Sequence, residues 1–237
     1  MLTIQNLTKI YSGSKKGIKD LNLELVEGDI CAFIGMNGAG KTTSIKSIVG
    51  IHNFDHGEIE LNNISIKDNP QEFKKQIGYS PDTPALYGNM TGYSYLELIG
   101  SIYNVDSDSI NNQLTILLKK LHFGDAIHDL VSTYSHGMKQ RLVLISVLMH
   151  NPKLIILDEP FVGLDPNATY FLQEEMKKRA SEGAIVLYST HVLEVAEKIC
   201  NKVVMIHEGK VVVNDTMINL LVNGSLNETF RRITTHE

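Results

Sequence analysis

Apolar positions along the chain follow two rhythms, and the places where one gives way to the other mark its elements. Residues 30–34 form a short apolar run that ends in a Gly-rich loop, and residues 41–49 then carry a helical pattern. Residues 58–66 alternate as a strand does. Residues 91–150 lack strand signals and read as mostly helical. Residues 154–157 and 185–189 are again short and continuously apolar, as strands buried on both faces are. Residues 167–182 lie between them as a helix, with Asp165 placed as its N-cap and Pro166 at the first helical position. Two more strands, 203–206 and 210–213, are separated by a Glu-Gly turn. Strand–helix alternation therefore occupies both ends, and a helical block interrupts it. The pattern predicts an α/β fold in one domain, residues 1–237. Its parts are a parallel core (1–80 and 151–220) with a small antiparallel sheet from the N-terminal strands, an inserted helical lobe (81–150) and a C-terminal tail (221–237).

The loop after the first apolar run reads Gly35-Met-Asn37-Gly38-Ala39-Gly40-Lys41-Thr42, followed by Thr43. This matches G-x-x-x-x-G-K-[ST] in full, between a strand and a helix. The glycines let backbone N–H groups converge on phosphate oxygens, and the helix N-terminus adds partial positive charge. Lys41 places an ammonium on the β and γ phosphates, and the Thr42 hydroxyl suits Mg²⁺. The run 154–157 ends in Asp158-Glu159. Asp158, at the strand end, suits Mg²⁺ through a water. Glu159 is next and, by strand alternation, points the other way, placed to accept a hydrogen bond from an attacking water and act as general base.

At this point the sequence resembles ABC ATPases, P-loop NTPases with a RecA-like core, over nearly the whole chain. The order of motifs carries the resemblance. Ile77-Gly-Tyr-Ser-Pro81-Asp82 looks like the Q-loop region, and Tyr134-Ser135-His136-Gly137-Met138 is similar to the LSGGQ signature. Gly163-Leu164-Asp165 looks like the D-loop and Ser189-Thr190-His191 like the H-loop. The resemblance implies ATP and Mg²⁺ as ligands. It implies that Ser135 and Gly137 face the γ-phosphate bound by another subunit, that His191 contacts the γ-phosphate and orients Glu159, and that Tyr11 stacks on adenine. It also implies a partnership with a transmembrane permease subunit, and a homodimer or a heterodimer with a second ATPase subunit. Two positions depart from the pattern: Asp82 stands in place of the usual Gln, and remains a metal-ligand candidate, while His136 and Met138 replace Gly and Gln. The Tyr-Ser-x-Gly-Met form resembles exporters of drugs, bacteriocins and antimicrobial peptides, so the expected cargo is a peptide, a drug or a lipid-like molecule.

Composition narrows the picture. Hydrophobic residues make up 43% and charged residues 21%, as in a globular chain. Lys and Arg total 22 against 27 acids, for a net charge of −5, and no nucleic-acid partner is expected. The competing reading, an ABC-type ATPase acting on nucleic acid or ribosomes, wants a long heptad insertion or two ATPase units, and neither is present. A GTPase wants Asn-Lys-x-Asp, whereas Asn201-Lys202-Val203-Val204 lacks the acid. Cys31 and Cys200 form no CxxC or Cys/His cluster, which fits a reducing compartment. The N-terminus lacks a signal-peptide pattern, and no apolar run approaches the ~20 residues of a membrane span. The expected location is cytoplasmic, on the inner face of the cell membrane.

Overall fold

The computed structural model describes residues 1–11, 13, 16–105, 107–222 and 224–234, with the backbone alone over 107–112. The first strands are β1 (Leu2–Ile10), β2 (Gly17–Leu25) and β3 (Ile30–Ile34), followed by helix α1 (Lys41–Ile48). Next come β4 (His56–Leu61), β5 (Ile64–Ser65), α2 (Pro70–Lys75) and β6 (Ile77–Ser80). The helical lobe holds α3 (Gly92–Ile102), α4 (Ser107–Lys120), two 3₁₀ turns and α5 (His136–Leu148). The chain continues with β7 (Leu154–Asp158), α6 (Pro166–Ser181), β8 (Ile185–Thr190) and α7 (Leu193–Ile199). It ends with β9 (Lys202–His207), β10 (Lys210–Thr216), α8 (Met217–Val222) and α9 (Leu226–Thr234).

The strands make two sheets, β2-β1-β4-β5 and β10-β9-β3-β8-β7-β6. The first is antiparallel. In the second, β9, β3, β8, β7 and β6 run parallel and β10 adds an antiparallel edge. The alternation of side chains divides the parallel strands between two cores. Cys31, Phe33, Leu154, Ile156, Ile185 and Leu187 pack with α1 and the antiparallel sheet. Ala32, Ile34, Ile155, Leu157, Val186 and Tyr188 pack with the lobe and the later helices. A strand covered on both faces has no polar position to spare, which is why these runs are unbroken in the sequence.

Two stretches differ from the pattern reading. Residues 58–66 do not form one strand, because Asn62 and Asn63 both take positive φ (51° and 62°) and turn the chain back as the β4–β5 hairpin. Asn tolerates that region, and a pair of them specifies a tight hairpin turn. Residues 221–234, read as a tail, lie largely within α8 and α9. Leu226 at the start of α9 is 0% exposed, and Phe230 and Ile233 pack against the same core. Burying a Leu side chain contributes roughly 1.5–3 kcal/mol toward docking this short helix.

Candidate nucleotide and metal site

The loop 35–40 leaves the end of β3 and feeds α1. Two glycines are forced by space. A Cβ on Gly35 would lie 2.6 Å from the Ile206 carbonyl oxygen, and Gly40, the α1 N-cap, has φ +113°. α1 begins with amides that have no intrahelical acceptor. Lys41 is buried at 7% exposure, and its Nζ donates to the Gly35 oxygen at 2.6 Å and lies 4.0 Å from Glu159 Oε1. Ala39 lies in the core, with its N–H bonded to the Met36 oxygen at 3.1 Å.

Strand parity and register build the acidic side. Leu154, Ile156 and then Asp158 share the α1-facing side of β7; Ile185, Leu187 and then Ser189 share it on β8. The parallel pairing sets Asp158 opposite Ser189. The Ser189 hydroxyl donates to Asp158 Oδ1 at 2.5 Å and accepts the Glu159 N–H at 2.9 Å. Asp158 is 1% exposed, and its Oδ2 has no protein partner. Glu159 has left the strand, with φ +49°, so a left-handed turn rather than strand alternation orients it. Its Oε2 lies 2.9 Å from His191 Nδ1, which places the two candidate proton-handling groups in contact.

Lys41, Asp158 and Glu159 open on a cleft of about 320 Å³, which His191 meets only through Glu159. Of the residues singled out in the sequence, Tyr11, Asn37, Gly38, Gly40, Lys41, Thr42, Thr43, Asp82, Asp158 and Glu159 line it. The Tyr11 hydroxyl lies 3.3 Å from Thr43 Oγ1, and the Tyr11 ring meets His52 edge-on. Lys16, Gly17 and Met36 also line the cleft and were not singled out; Lys16 precedes β2 and Gly17 opens it, where no spacing rule marks them.

The sequence profile of the ABC transporter family matches residues 18–162. The ABC-type transporter ATP-binding protein EcsA of Bacillus subtilis is 34% identical over 220 residues, covering 93% of this chain and 89% of that protein. This chain belongs to the ABC transporter family. The linearmycin resistance ATP-binding protein LnrL of Bacillus subtilis is 31% identical over 242 residues, covering 97% of this chain and 77% of that protein. A solved structure of an ATP-binding subunit of an ABC transporter superposes with a TM-score of 0.94 at 32% identity, covering 99% of each chain. The chain is thus an ABC ATP-binding subunit and an ATP hydrolase. No helix among its described residues is long and apolar enough to cross a membrane.

In this ABC subunit the signature segment is not part of the cleft. Ser135 caps α5 by accepting the Met138 N–H at 3.3 Å, and it is exposed. Neither Ser135 nor Gly137 lines the cleft. Gly137 instead abuts the D-loop, where a Cβ on it would lie 2.8 Å from the Gly163 oxygen. The His136 ring covers Gly163, whose φ is +80°. Asp165 caps α6 by accepting the Ala168 and Asn167 N–H groups, both at 3.0 Å, and these bonds hold its carboxyl below the usual range.

Proposed function

We propose that this ATPase drives export of a peptide, drug or lipid-like cargo through a transmembrane permease subunit, from the cytoplasmic face of the membrane. Two ATPase subunits, identical or different, close with two Mg-ATP sandwiched between the phosphate loop of one and Ser135 and Gly137 of the other. The observation that carries this reading is the separation of the exposed Ser135 cap from the cleft that holds Lys41 and Glu159. A helix cap facing outward beside the D-loop is an anion site without an anion from its own chain. A second subunit supplies one. The name of the linearmycin resistance relative favours export.

Within the cleft, Tyr11 stacks on adenine, the 35–43 backbone and Lys41 cradle the phosphates, and Thr42, Asp158 and Asp82 hold Mg²⁺. The buried, unpartnered Asp158 Oδ2 supports that fit, because an ionised oxygen without a donor is costly unless a metal or its water shell meets it. When bound, Mg²⁺ neutralises charge on the phosphates. Glu159 takes the proton of the attacking water, and His191 holds the Glu159 carboxylate in place while facing the γ-phosphate.

The test mixes Lys41→Ala and Ser135→Arg, each inactive alone. Random pairing in a two-fold dimer makes about half the dimers mixed, each with one intact composite site, so about a quarter of wild-type ATPase returns. No recovery in mixtures whose subunits exchange, shown by labelled monomers, rejects the shared site.

A further inference from the structure

We propose that Ser189 is a positioning residue that sets both the metal-facing oxygen of Asp158 and the aim of Glu159. The inference rests on the reading of Asp158 as a metal carboxylate and adds a residue that the sequence motif names only as context for His191. Ser189 is 0% exposed, on a strand whose same-face neighbours Ile185 and Leu187 are core residues. A hydroxyl there is out of place unless its partners need it.

The polarity of those partners fixes what the hydroxyl does. The Glu159 amide only donates, so it takes a lone pair of Ser189 Oγ at 2.9 Å. An ionised Asp158 only accepts, so the hydroxyl proton is committed to Oδ1 at 2.5 Å. With Oδ1 occupied, Oδ2 is the oxygen left to meet the metal's shell. The same hydroxyl ties down the amide of a residue held at φ +49°, a conformation that the surroundings must impose on a glutamate. One side chain on β8 therefore couples the orientation of the metal carboxylate to the turn that presents the base. The neighbouring Thr190 takes no part, since its Oγ1 accepts the Val192 N–H at 2.9 Å within its own loop.

The experiment uses full-length Ser189→Ala and Ser189→Cys, with Asp158→Ala as the comparison. Cysteine leaves no cavity and supplies only a weak donor and acceptor, so it reports on the bond even if the alanine variant folds poorly. Mn²⁺ binding to the ADP-loaded protein is followed by electron paramagnetic resonance. Loss of an outer-shell partner weakens Mn²⁺ by about ten- to a hundredfold, with ADP affinity in EDTA unchanged. In ATPase assays kcat falls while KM for ATP stays near wild type, a split that general loss of packing does not give. If the folded Ser189 variants bind Mn²⁺ like wild type while Asp158→Ala does not, this inference is wrong and the metal reading stands. If Asp158→Ala also keeps wild-type Mn²⁺ affinity, both fall.

Discussion

Glu159 sits in a conformation that costs of order 1–3 kcal/mol, and the strain is placed one residue beyond a fully buried strand. The turn brings its carboxylate between His191 at 2.9 Å and Lys41 at 4.0 Å, which strand geometry alone does not do. Glu159→Gln keeps the size of the side chain and removes its basicity. It is expected to bind ATP normally and to turn over about 10²–10⁴-fold more slowly, with ATP then trapping a dimer that light scattering detects. Wild-type turnover by this variant removes Glu159 from the role of base. The acid pair was legible in the sequence because it ends an apolar run downstream of a phosphate loop. Its supporting serine was not, because Ser189 meets Asp158 only through the register of two strands 31 residues apart. Local pattern carries no such register.

Elements were most legible where burial is two-sided. The continuous runs at 30–34, 154–157 and 185–189 correspond to β3, β7 and β8 to within one residue at either end, since apolar demand on both faces leaves little freedom of composition. The hairpin at Asn62-Asn63 was lost inside an alternating stretch because alternation describes both of its arms equally well. The α9 stripe of Leu226, Phe230 and Ile233 has helical spacing, but in so short a segment it has the look of a polar tail. At the end of α5, His150 stacks on Tyr103 at 3.8 Å, with Nδ1 3.0 Å from the Ser146 oxygen and Nε2 3.4 Å from the Ile77 oxygen. Burial, assisted by Arg179, holds its pKa below the ordinary value, and the two carbonyl contacts only partly oppose this. The unfolded chain therefore binds the proton more readily as pH falls through about 6.5. Stability from this group is full above that pH and declines below it, with a slope of at most about 1.4 kcal/mol per pH unit. His150→Gln should flatten the fall in urea midpoint between pH 7.5 and 5.5. An unchanged slope assigns the fall to other groups.

At the scale of the molecule, the cleft and a second concavity share a residue. A groove of about 610 Å³ runs between α1 and the lobe, lined by Lys46, Ile51, Pro81, Thr83, Ala85 and Tyr95, and Asp82 lines both it and the cleft. Tyr79 also lines the groove. Burial first, then the charges of Asp158 and Asp82, push its phenol above the ordinary value. A partner seated in the groove would thus reach the cleft through one short segment, residues 79–82. The chain beyond Asp82 presents unlike neighbours. Leu86 packs against the core, whereas Tyr87 is 61% exposed. A tyrosine left that open, two residues beyond the groove-lining Ala85, has little to do for an isolated subunit and much to do for a permease segment. Tyr87→Asp is expected to leave the melting temperature and basal ATPase near wild type and to abolish co-purification with a multi-span membrane protein. Leu86→Asp is expected to lower the melting temperature instead, because it sets a carboxylate at a half-buried position against apolar side chains. If Tyr87→Asp melts early as well, the tyrosine belongs to the lobe's packing. If it melts normally and still retains the membrane subunit, the docking surface lies elsewhere.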